Sequence, residues 1–243
     1  TGTVNGAQDL TVDTNGSDNL SSLATVLFSS TVGDTTPVGA IIITGNLDLD
    51  ANIIQSDSTA GATSLAVSGT SDLGANVKTT GDQTYTGNAI ISADITLTGG
   101  SQLTFAGTVD SSNTTGTTDT DALSTSFTET EFDGEVGGNY GLGAIIITGA
   151  LDLDAAITSA SSLSVSTTSN LGASVTTTGD QTYTGAVTLS ANNTLTTTSN
   201  GTVSFGSTTN GAQTLAITTN GTGDVTFTDD VGGSTGLNGL TIS

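Results

Sequence analysis

Residues 39–51 read GAIIITGNLDLDA and residues 143–155 read GAIIITGALDLDA, so one thirteen-residue phrase is spelled almost identically 104 positions apart. The phrase TTGDQTYTG at 79–87 returns at 177–185, an offset of 98, because the stretch after LDLDA is six residues shorter in the second copy. NGAQDLTVDTNG at 5–16 is echoed by NGAQTLAITTNG at 210–221. TVGDTTPVGAIII at 31–43, EVGGNYGLGAIII at 135–147 and DVGGSTGLNGLTI at 230–242 share one further phrase. Similarity at a fixed long period is the mark of repeat architectures. The expected layout is a partial repeat at 1–38, repeat units at 39–142 and 143–237, and the start of another at 238–243. Beginning and ending in mid-unit, and lacking Met, the chain reads as a mature product or a piece of a longer array.

Local pattern decides what a unit is made of. Apolar residues alternate with polar ones at Val187/Leu189, Val203/Phe205, Leu215/Ile217, Val225/Phe227 and Leu240/Ile242. Such pairs put two side chains on one face of a short strand. Asn-Gly and Gly-Gly steps fall between them, at 200–201, 210–211, 220–221 and 232–233, where the chain must turn. Phe205 and Phe227 are 22 residues apart, the length of one three-strand coil. The fold class expected is all-β: a right-handed parallel β-helix, or β-solenoid, with repeats of about 100 residues; tandem β-sandwich domains are the alternative. In the solenoid each strand buries one face, which suits a hydrophobic content of only 33%. The two GAIIITG phrases are expected to be the same rung one unit apart, with about five coils per unit. Ile41-Ile42-Ile43 breaks the alternation, so Ile42 is expected to be covered by a loop or another chain.

Charge narrows the function classes. There are 23 acidic residues and one basic residue, Lys78, for a net charge of −22. Nucleic acid and anionic membranes need Lys and Arg, so neither is an expected partner. No Cys is present for a disulfide or thiolate site, and no apolar run is long enough to span a bilayer. No N-terminal signal peptide is legible.

The phrases of 177–243, from TTGDQTYTGAVTLSANNTLTTTSNGTVSFG to DVGGSTGLNGLTIS, resemble the β-strand repeat arrays of large bacterial surface proteins such as filamentous haemagglutinin and other type V secreted adhesins. The resemblance covers most of the chain and weakens over 100–140. It implies a parallel β-helix, export to the cell surface, and a role as fibre, stalk or adhesin. It supplies no catalytic residues, and this chain shows neither the family's N-terminal secretion domain nor an outer-membrane barrel.

Candidate chemistry is therefore confined to carboxylates. Asp48 and Asp50 flank Leu49, and Asp152 and Asp154 flank Leu153, so each pair points outward with its carboxylates about 7 Å apart. A second cluster, TETEFDGE at 128–135, offers Glu129, Glu131, Asp133 and Glu135, with Asp119 and Asp121 nearby. Calcium, which takes six to eight oxygens, is the cation such groups suit; solvated charges that keep a fibre soluble are the competing account. Neither stretch matches an EF-hand or the GGxGxD nonapeptide. An enzyme is not expected: His, Arg and Trp are absent, Lys78 becomes Thr176 in the second unit, and Tyr85 and Tyr183 occupy equivalent positions, which reads as structural. Thr runs at 176–178 and 196–198 raise an ice-binding face, set aside because the Thr fall at no single coil position. Sequons at Asn19 and Asn113 are expected by chance in a Thr-rich chain.

The expectation is a non-enzymatic extracellular segment of a filament, sheath or adhesin shaft at a bacterial surface, partnered by neighbouring repeats or copies of itself. The alternative is a module that recognises a surface or biofilm glycan through loops 13–37 and 110–141.

Overall fold

The computed structural model describes residues 2–14, 24–55, 57, 59–112 and 121–243. The sequons at Asn19 and Asn113, and Asp119, lie outside them. Short strands wind as a three-sided parallel β-solenoid of about ten turns. Every ladder pairing among the described residues is parallel; the one antiparallel bridge joins Ile54 to Ala60. Parallel pairing throughout excludes the sandwich alternative, whose strands pair antiparallel.

The three sides are here called faces I, II and III. Face I rises through Val4, Val32, Ile53, Val77, Leu97, Thr125, Ile147, Val165, Tyr183, Phe205 and Phe227. Face II runs from Leu10–Asp13 through Val38–Thr44 and Ala62–Val67 to Val187–Leu189. Face III begins with Thr25–Phe28, Asn46–Leu49 and Ser71–Leu73, and ends with Thr214–Thr219 and Gly239–Ile242. Inward residues alternate with outward ones, and the inward column forms one continuous apolar core. At about 4.8 Å per turn, ten turns make a rod about 48 Å long.

The repeat does not close on whole turns. Ile43 lies on face II, and five rungs lead from it through Val67, Tyr85, Phe105 and Phe132 to Leu153. Ile147 lies one side before Leu153, on face I. One unit is therefore fourteen sides, five turns less one side. The rule holds again over two units: Val12 is on face II, and its counterpart Ile217 is on face III. The expectation that the doubled phrase marks the same rung is thus corrected. The second copy has moved round by one side, because fourteen sides are not a whole number of three-sided turns. The unit boundaries at 38/39 and 142/143 fall at the starts of strands Val38–Thr44 and Leu142–Leu153 within one unbroken ladder.

What the repeat preserves is the interior. Tyr85, Phe105 and Phe132 stack on face II with centroids 5.1 and 5.5 Å apart, and Tyr183, Phe205 and Phe227 stack on face I at 5.4 and 4.6 Å. Beneath each tyrosine lies a buried glutamine. Gln83 Nε2 donates to the Thr98 carbonyl at 3.0 Å and to Thr79 Oγ1 at 3.2 Å, while the Tyr85 hydroxyl donates to Gln83 Oε1 at 3.2 Å. Gln181 repeats the arrangement with Thr196, Thr177 and Tyr183. A buried amide is tolerated when its donors and acceptor are satisfied; the phrase TTGDQTYTG supplies the threonine and tyrosine partners, and the next coil supplies the carbonyl. The structural reading of Tyr85 and Tyr183 holds, and burial pushes both phenols far above their ordinary range.

One local expectation fails and another narrows. Ile42 and Ile146 are each 44% exposed, so no loop among the described residues buries them, and contact with another chain is the cover that stays open to them. Residues 110–141 are not one irregular loop: they contain the ten-residue strand Leu123–Phe132, which holds Glu129 and Glu131 in register. Outward hydroxyls, moreover, do align on face I, as Thr96 and Ser124 and then, past Ile146, Ser164, Thr182, Ser204 and Thr226 form one column.

Candidate functional site

Alternation along strands Leu123–Phe132 and Leu142–Leu153 buries Thr130, Phe132, Leu151 and Leu153 and turns the acids outward. Parallel pairing then sets Glu131 beside Asp152, and places Asp133 and Asp154 just past the paired Phe132 and Leu153. The two acidic phrases identified separately in the sequence thus meet on face II. Among the described residues, Glu131, Asp133 and Asp154 each offer a carboxylate oxygen within 4.8 Å of the others. Asp152 accepts from Asn170 Nδ2 at 2.9 Å, one coil on. Glu129 and Glu135 stay outside the triad: Glu129 pairs in register with Ala150, and Glu135 is an exposed residue at the following corner.

Glu131 is the least solvated of the group. Its carboxylate accepts from Gln102 Nε2 at 2.8 Å and from Thr104 Oγ1 at 3.0 Å. Burial, with the like charges of Asp133, Asp152 and Glu129, raises its pKa above the ordinary glutamate value against the lowering effect of the Thr104 hydroxyl. Three carboxylates give three to six oxygens, part of the shell a calcium ion takes, and a divalent cation would relieve the repulsion that lifts Glu131.

The first DLD pair sits differently. Asp48 lies on face III, with Leu27 behind it and Asp72 ahead. Its pKa is raised by partial burial and by Asp50 and Asp72. Asp72 in turn accepts from the Ser92 hydroxyl. Among the described residues no set of three carboxylates as close as the face II triad includes Asp48 or Asp50.

Sequence reasoning assigned the remaining acids no individual role, and there it missed a structural one. Asp82 Oδ1 accepts the Gln102 backbone N–H at 3.0 Å, and Asp180 Oδ1 accepts that of Thr202 at 2.8 Å. Asp94 does the same for Ala122, and Asn52, Asn76, Asn88, Asn192 and Asn200 for the coils above them. Each corner aspartate or asparagine thus caps a backbone donor that the next turn leaves unpaired. The signal in the sequence is Asp or Asn just ahead of a strand, as in GDQTYTG, but its partner is a whole coil away.

Fold and outward chemistry together define an acidic, three-sided parallel β-solenoid built from fractional-turn repeats. No family model, no curated protein and no solved structure matches the chain.

Proposed function

We propose that the chain is a non-enzymatic length of extracellular rod, the shaft or sheath element of a longer bacterial filament or adhesin. One observation carries the reading: what the units repeat most faithfully is scaffold. The Thr–Gln–Tyr knot and the corner acceptor of the GDQ step, Asp82 and Asp180, recur, whereas several outward positions change, with Asp72, Lys78 and Ile90 becoming Asn170, Thr176 and Thr188. A chain selected for length and stiffness keeps its interior and lets its surface vary. The charge of −22 supports solubility of such a rod and resists lateral clumping. The resemblance to large secreted adhesins supports the same placement.

The test is a swap. Replacing this segment in its parent protein by an unrelated solenoid of equal length should preserve filament length in electron micrographs. Shortened or absent filaments carrying a correctly exported replacement would overturn the reading.

Calcium enters as part of the proposal, on the convergence of Glu131, Asp133 and Asp154. The expected outcome is a higher melting temperature with millimolar calcium than with chelator, and no difference in Asp133→Asn/Asp154→Asn. Equal melting curves for the unaltered chain would return these acids to solvated surface.

A further inference from the structure

Three regions outside the rod's frame offer chemistry: the face II acids, the hydroxyl column on face I, and a hollow of 490 Å³ on face III beneath residues 139–140. Only the hollow combines a frame that all three copies of the phrase share with walls that they do not.

The floor of the hollow is a frame that occurs three times. Asp110 Oδ1 accepts the backbone N–H groups of Asn139 at 2.8 Å and Tyr140 at 3.2 Å. Asn5 Oδ1 accepts those of Thr35 and Thr36 at 2.9 and 3.4 Å, and Asn210 Oδ1 those of Ser234 and Thr235 at 3.0 and 3.3 Å. In each case the loop opens on a Val-Gly step whose glycine has φ near +70°, with values of 74° at Gly33 and 72° at Gly137 and Gly232. A β-carbon at Gly137 would also collide with the Ser159 carbonyl, so glycine is required there. The frame is therefore the same wherever the phrase occurs, and it is satisfied with threonine at the position of Tyr140.

The walls are not repeated. Tyr140 is 44% exposed, where the other units carry Thr36 and Thr235; Ile90 is 40% exposed, where the second unit carries Thr188. Asn88 becomes Ala186. Folding does not demand an aromatic ring and a branched aliphatic chain facing solvent across one hollow, since the rod is built elsewhere without them. With Asn88, Thr108 and Asn139 they give an apolar wall and a few convergent polar groups, the usual make-up of a small-molecule site, at a volume in the usual range of about 300–1,000 Å³.

We propose that this hollow binds a neutral saccharide unit, with the Tyr140 ring and Ile90 against the apolar face of the sugar. Asn88, whose Oδ1 is engaged by the Thr108 N–H, keeps its Nδ2 to donate to a hydroxyl. Asp110 is not available to pair with a cation: besides the two backbone donors it accepts Asn139 Nδ2 at 3.0 Å. Anionic sugars are disfavoured by Asp72, adjacent in register to Ile90, and by the net charge. The site is independent of the rod reading, because a rod of the same length lacking it remains a rod.

The experiment uses the full chain with cellobiose, maltose, lactose, mannobiose and N,N′-diacetylchitobiose, read by saturation-transfer NMR and calorimetry. At least one is expected to bind with one site per chain. Tyr140→Thr and Ile90→Thr install residues the other units already carry, so both variants should keep the parent melting temperature while losing affinity tenfold or more. Absence of binding by all five sugars overturns the proposal. So does unchanged affinity in Tyr140→Thr, or a preference for sialyllactose over the neutral sugars.

Discussion

At the scale of single residues, the most consequential are those whose polarity contradicts their burial. Gln83 and Gln181 have no exposure, and each bridges a tyrosine hydroxyl to a carbonyl of the next coil. Replacing either by leucine strands those partners, and Gln181→Leu is expected to destabilise the chain by about 2–3 kcal/mol, measured by denaturant unfolding. Glutamine at an inward position is not legible from alternation, which places Gln83 and Tyr85 on one side but cannot say that their polar ends meet. Acid titration supplies a second residue-scale prediction. The pKa values of Glu131 and Asp48 are raised in the folded chain, so the native state holds their protons more tightly than the unfolded state does. Their contribution is most favourable below the unfolded pKa and is lost as pH rises through the elevated folded one. Glu131→Gln should therefore raise the melting temperature near neutrality and have little effect once pH falls below the ordinary glutamate range; a lower melting temperature at neutral pH would contradict the burial and like-charge account.

At the scale of strands and corners, apolar pairs two residues apart were enough to read short strands, and the 22-residue step from Phe205 to Phe227 gave the coil. The 20-residue spacing of Leu195 and Leu215 looks like a coil but is not one: Leu195 pairs with Ile217, and it is Asn193 that lies under Leu215. Coil lengths vary through their corners, so spacing alone cannot choose between adjacent inward positions. The corner acceptors were illegible for a related reason, since Asp82 and Gln102 are neighbours only once coils are stacked. Asp82→Ala should cost about 1 kcal/mol, whereas Asp82→Asn, which retains the acceptor, should cost much less. Chemical denaturation of the two variants side by side checks this, and equal losses would show that charge rather than the acceptor matters. The acidic patch was legible residue by residue but not as an assembly. Only the register between Leu123–Phe132 and Leu142–Leu153 shows that the second DLD pair, unlike the first, meets the TETEFDGE acids.

At the scale of the whole molecule, stability is distributed along a line, each coil resting on its two neighbours. One further fourteen-side unit inserted in phase should lengthen the rod by about 22 Å, which small-angle scattering would resolve. An insertion of the same size that breaks the order of sides should instead disrupt the ladder and expose the core. The fractional repeat also bears on mechanics. A unit closing on whole turns would stack every DLD pair, every exposed isoleucine and every corner loop down a single flank. Crowded charge on one flank and bare apolar surface on another would bow a long fibre and let it zip laterally to its neighbours. Here the second copy of each feature stands a third of a revolution round from the first, as Ile42 on face II and Ile146 on face I do. In a rod of three such units the asymmetries would average out, leaving it equally stiff to bending in every direction.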